Sequence, residues 1–149
     1  MLRDDINNAL KAAMKAGQAR RVSTLRLINA AVLERETKGA ERVTLSDAEI
    51  LDVMQKMVKQ RQESLDIYQK AGRAELAAQE REEIEIISAY LPEHMSDTEA
   101  AKAISTLIKE IEAETLKDMG RTMAALKQRF AGRMDFSKAG ALVKKLLAG

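Results

Sequence analysis

A single proline, Pro92, stands between two strong helix signals in this chain. Ahead of it, the run from Glu80 to Leu91 is rich in helix formers and carries apolar side chains at Ile84, Ile87 and Leu91. Proline has no N–H and disfavours helical geometry in the residue before it, so this helix is expected to end near Leu91. Just beyond, Ser96-Asp-Thr-Glu99 has the form of a capping box, in which serine and glutamate satisfy the free amides that open the next helix. The chain therefore reads as two helical domains, residues 1–92 and 96–149, joined by a short hinge at Pro92.

Helix-favouring residues and helical periodicity run through the rest, so the expected fold class is all-α. Leu2, Ile6, Leu10 and Met14 recur every four residues and mark one face of a first helix, which Gly17 can end in a left-handed cap. Val22, Leu25, Ile28 and Val32 mark a second helix ending near Gly39. A second capping box, Ser46-x-x-Glu49, opens the longest helix, whose stripe of Ile50, Val53, Met54, Met57, Leu65 and Tyr68 runs to Gly72. A tight turn at Gly72 folds this helix against the next as a long antiparallel hairpin, so positions equidistant from the turn face each other. That register sets Tyr68 by Leu76, Met57 by Ile87 and Met54 by Tyr90. It also sets Arg61 by Glu83 as an ion pair at the edge of the core. In the last part, Ala101, Ile104, Ile108 and Ile111, then Met119, Met123, Leu126 and Phe130, then Leu142, Val143, Leu146 and Leu147 give three short helices.

Composition excludes several classes of function. The absence of cysteine removes disulfides, thiolate metal sites and thiol catalysis, and fits a reducing cytoplasm. No apolar run approaches a membrane span, and acids at Asp4 and Asp5 sit where a signal peptide needs basic and then apolar residues. Charge is uneven. Residues 75–114 hold three basic and eleven acidic side chains, whereas 115–149 hold eight basic and two acidic ones.

No constellation supplies catalysis, a metal or a cofactor. His94 is the one histidine, too few for a nitrogen-and-sulfur metal site, and reads as a hinge residue. Glu80, Glu82, Glu83 and Glu85 point around different sides of a helix, which makes a solvated face containing one structural pair. Met54, Met57, Met119 and Met123 read as core filling. There is no Gly-rich phosphate loop and no dinucleotide fingerprint, so ATP-dependent chemistry by this chain alone is not expected. What remains is a cationic set, Lys117, Arg121, Lys127, Arg129, Arg133, Lys138, Lys144 and Lys145, in a segment nearly free of acids. Such a surface suits phosphates. With two tyrosines and two phenylalanines in the whole chain, stacking on single strands is poorly served, and folded RNA read through its shape and backbone fits better.

Tyr90-Leu91-Pro92, then Ser96 and Glu99, Gly120-x-x-Met123, Gly132-x-x-Asp135 and the Leu-rich terminal helix together resemble the YqeY family and the related tail of the tRNA amidotransferase B subunit, GatB. Thr24-Leu25-Arg26 and Lys59-Gln60-Arg61-x-Glu63-Ser64 resemble the stand-alone YqeY proteins, and the likeness covers essentially the whole chain. This sequence has His94 and Met95 where family members often carry glutamine and leucine. The resemblance implies a helical N-terminal domain followed by a small helical C-terminal one. It also implies a tRNA-holding role, and a carbon–nitrogen ligase label with glutamine as amide donor. The residues give that label no amidase nucleophile and no carboxylate-activating site. The expectation is a non-enzymatic cytoplasmic accessory protein that binds tRNA or another structured RNA. Arg121, Lys127, Arg129, Arg133, Lys144 and Lys145 would contact phosphates, and turns at Gly120 and Gly132 would let the backbone approach. The alternative is an adaptor that docks on another protein, such as one in translation.

Overall fold

The structure is a computed structural model that describes Met1–Gly149. It contains seven α-helices and no strand: α1 (Leu2–Ala16), α2 (Ala19–Thr37), α3 (Asp47–Lys70), α4 (Ala74–Ser88), α5 (Asp97–Glu110), α6 (Met119–Arg129) and α7 (Phe136–Ala148), with one 3₁₀ turn at Leu116–Asp118. The helices fall into two compact units, Met1–Leu91 and Pro92–Gly149.

Local chemistry sets the helix ends of the first unit. Gly17 closes α1 at φ 69°, where a side chain would be strained, and the N–H of Gln18 reaches back to the Ala13 carbonyl at 3.0 Å. Ser46 and Glu49 cap α3 reciprocally, with Glu49 N–H donating to Ser46 Oγ at 3.2 Å and Ser46 N–H to Glu49 Oε1 at 3.1 Å. Gly72, again at φ 69°, makes the hairpin turn. α4 stops at Ser88, three residues short of the expected Leu91. The N–H groups of Tyr90 and Leu91 bond to Ile87 and Ser88, a 3₁₀ pattern that tightens the chain before the proline removes the next donor.

The core of this unit gathers Ile6, Leu25, Ile28, Ile50, Met54 and Ile87, all essentially solvent-free, with Tyr90 packed against them. Each such side chain contributes about 1.5–3 kcal/mol through burial. Met14, expected on the buried face of α1, is 53% exposed, and Ala13 is buried in its place. Steps of four residues advance about 40° beyond a full turn, so by Met14 the stripe that starts at Leu2 has rotated off the core.

The hairpin forms the expected ion pair. Arg61 Nε donates to Glu83 Oε2 at 3.0 Å, and Arg61 Nη1 donates to the Met57 carbonyl at 3.2 Å. Glu83 is buried and takes further support from Gln79 Nε2 at 3.3 Å and from the Arg20 guanidinium at 3.9 Å. Its neighbour Glu80 keeps one buried oxygen without a hydrogen-bond partner. Burial, with the nearby Glu83 charge adding to it, raises the Glu80 pKa.

A second buried carboxylate, Glu36, shapes the connection between α2 and α3. It pairs with Arg3 and accepts the Leu45 N–H at 2.9 Å, fastening the end of that connection. Those two contacts, the backbone donor first, lower its pKa.

In the second unit, Ile104, Leu107, Leu126, Met134 and Val143 form the centre of a separate core, with Met119, Met123 and Phe130 packed against it. Ser96 and Glu99 form the expected capping box at α5, at 3.1 and 3.2 Å. Leu146 lies 43% exposed on α7, whereas Val143 and Leu147 are buried.

Candidate nucleic-acid interface

The six residues expected to contact phosphates divide by chemistry into three arginines that bond to their own chain and three lysines that do not. Arg121 donates from Nη1 to the Ile111 carbonyl at 2.7 Å, from Nη2 to the Glu112 carbonyl at 3.3 Å and from Nε to Asp118 Oδ1 at 3.1 Å. It thereby caps the C-terminus of α5, where carbonyls lack helical donors. Arg129 pairs with Glu110, both half exposed. Arg133 donates from Nε to the Glu93 carbonyl at 3.2 Å, and its own carbonyl accepts the Met95 N–H at 2.7 Å. That pair of bonds fixes the segment between Pro92 and α5. Lys127 on α6 and Lys144 and Lys145 on α7 are exposed and carry no ion pair or hydrogen bond from their side chains.

Arg121 is held at a strained point. Glu112 lies at φ 56°, the left-handed position that glycine or asparagine usually fills at the end of a helix. The Ala113 N–H closes that cap on the Ile108 carbonyl at 3.0 Å. Asp118 completes the clamp: its Oδ2 accepts the Glu114 and Thr115 N–H groups at 2.8 and 3.1 Å. These backbone donors, with Arg121 adding to them, hold the Asp118 carboxyl down to about 2, against an ordinary value of 3.8. A depressed folded-state pKa gives stability that is present above the ordinary value and lost as pH falls toward the folded one. Acid unfolding of the wild type is therefore expected to steepen between pH 3.8 and about 2. Asp118→Asn should flatten that limb in a circular-dichroism titration; an unchanged limb would refute the clamp.

The two glycines differ. Gly132 turns the chain at φ 74°, a left-handed position. Gly120 corrects the expectation of a turn, since it lies within the first turn of α6. The 3₁₀ turn capped by Thr115 and Asp118 starts the helical path before Gly120, and a Cβ there would meet nothing within 4 Å. His94 is exposed, and no three histidine, aspartate or glutamate side chains come together as a metal-ligand set. Of the N-terminal motif residues, Leu25 is buried, and so is Thr24, whose hydroxyl donates to the Arg20 carbonyl at 2.8 Å, while Arg26 is exposed.

Helices alone, in a larger unit followed by a smaller one, define the class as all-α. The chain belongs to the YqeY family: the family model described as Yqey-like protein matches residues 3–147. An uncharacterized protein of Schizosaccharomyces pombe is 33% identical over 92 residues, covering 62% of this chain and 73% of that protein. The Altered inheritance of mitochondria protein 41, mitochondrial, of Eremothecium gossypii is 33% identical over 97 residues, covering 63% of this chain. The match spans about half of that relative's length, 52%. No helix is long and apolar enough to cross a membrane.

Proposed function

We propose that this protein is a non-enzymatic accessory factor of the cytoplasm whose C-terminal unit binds tRNA or another structured RNA through its backbone phosphates. The observation that carries the reading is the set of unpaired ammonium groups, Lys127, Lys144 and Lys145, in a segment with eight basic and two acidic residues. Exposed, unpaired lysines release counterions when they meet phosphates and read no base edges, which suits shape-based recognition of a folded RNA. The arginines in this reading hold the shape of the unit that carries the lysines. The family's link to a tRNA-holding tail agrees with the same surface.

Amide transfer finds no support among the side chains. The sequence has no cysteine and no Gly-rich phosphate-cradling loop. The test is a titration of a labelled tRNA pool with the nuclease-treated protein at about 50 and 200 mM salt. Three phosphate contacts predict that affinity falls roughly 20- to 40-fold between those conditions. A duplex of equal charge should bind more weakly at both. Absence of binding at the lower salt would overturn the RNA reading and favour docking on another protein.

A further inference from the structure

α2 gives its Leu25, Ile28 and Val32 side to the core and turns another face to solvent. On that face Leu27 is 43% and Leu33 48% exposed, although both are large and apolar. Arg26, Ala30 and Glu34 are exposed beside them, as are Ser23 and Thr37 one turn further out at each end. At about 100° per residue, all seven side chains leave the helix within about 60° of the direction of Ala30. Their order about Ala30 is self-complementary. Four positions before Ala30 stands a cation and four after it an anion; three before and three after stand leucines; seven before and seven after stand the hydroxyls of Ser23 and Thr37.

We propose that this face of α2 is a self-association surface, on which a second copy of the chain packs its own α2 antiparallel about a two-fold axis beside Ala30. Residues equidistant from Ala30 then share a height, so Arg26 meets the other copy's Glu34 and Leu27 stands level with its Leu33, each pair occurring twice. Parallel packing would set Arg26 against Arg26 and Glu34 against Glu34. Arg26 has no acid three or four residues away on its own helix, so no neighbour along α2 competes for it. The small side chain of Ala30 at the centre lets the helix axes approach closely, and the leucines cover the methylene stems of the charged residues that face them. The contact is isologous and closes at two subunits. Seven residues a side fall well short of the roughly 20–30 of a standard interface, which makes the pair weak and transient.

Covalent trapping suits so weak a contact. The chain has no cysteine, so Ala30→Cys introduces the sole thiol, beside the two-fold axis. Two such thiols meet across the axis, within the roughly 7 Å between Cα atoms that a disulfide tolerates. Ser23→Cys is the control on the same face, since the two copies of that position stand about 21 Å apart along antiparallel helices. Nuclease-treated full-length protein is held under mild oxidation, and a band at twice 16.5 kDa is followed on non-reducing gels. Linkage should be at least about tenfold faster from Ala30→Cys than from Ser23→Cys. Adding Glu34→Arg to Ala30→Cys should slow linkage roughly five- to tenfold by setting like charges together, and adding Arg26→Glu as well should restore it. All four positions are exposed, so the helical signal and thermal midpoint should stay near the wild type. The surface lies in the N-terminal unit and the assay contains no RNA, so its outcome is independent of the RNA-binding proposal. Equal rates from Ala30→Cys and Ser23→Cys would overturn the two-fold pairing. So would linkage through Ala30→Cys that ignores Glu34→Arg.

Discussion

Glu83→Gln is expected to destabilise the N-terminal unit by about 3 kcal/mol, at the lower end of the cost of breaking a buried ion pair from one side. The substitution leaves the Arg61 guanidinium next to a neutral amide, with its side chain only 15% exposed. Gln79 and Arg20 also lose their charged acceptor. A surface pair would carry no such penalty, since exposed ion pairs contribute about 0–1 kcal/mol. The decisive comparison is the double variant Arg61→Met/Glu83→Leu, which removes both charges and keeps the side-chain volume. A buried pair replaced by packed apolar groups is often neutral, so the double variant should recover most of the loss in urea unfolding. Equal losses in the single and double variants would mean that the cost comes from packing. No loss from Glu83→Gln would mean that the pair does not contribute.

That pair shows what was legible in the sequence. Gly72 and the apolar periods of α3 and α4 set a hairpin register, and that register alone places Arg61 against Glu83. The two capping boxes and the Gly17 cap were equally readable, because the boxes rest on short-range bonds between a side chain and a backbone amide and the cap on a glycine free to adopt φ 69°. What could not be read are contacts whose acceptors are backbone carbonyls or whose donors are distant amides. Arg121 bonds to Ile111 and Glu112 through a helix end that turns at a glutamate, so the usual glycine signal was missing. Glu36 finds the Leu45 N–H nine residues away, a spacing with no motif. Gly120 misled for the opposite reason, since a glycine is a turn signal only when the backbone uses its freedom.

In the proposed RNA-binding reading, the same distinction separates the cations available to phosphates from those that hold the fold. Lys127→Glu, Lys144→Glu and Lys145→Glu together should reduce tRNA affinity at about 50 mM salt by two orders of magnitude or more, and flatten the log–log salt dependence by at least about three contacts' worth. Because these side chains are exposed and unpaired, the thermal midpoint should stay within about 2 °C of the wild type, as expected for surface substitutions of a few tenths of a kcal/mol. Arg121→Gln should do the reverse. It releases the carbonyls of Ile111 and Glu112 and the carboxylate of Asp118, so stability falls while the salt slope is largely kept. Wild-type affinity in the triple variant would remove the lysines from the interface. A flattened slope in Arg121→Gln at unchanged stability would instead move the phosphate contacts to the arginines, and the clamp at the end of α5 would then be part of the RNA surface.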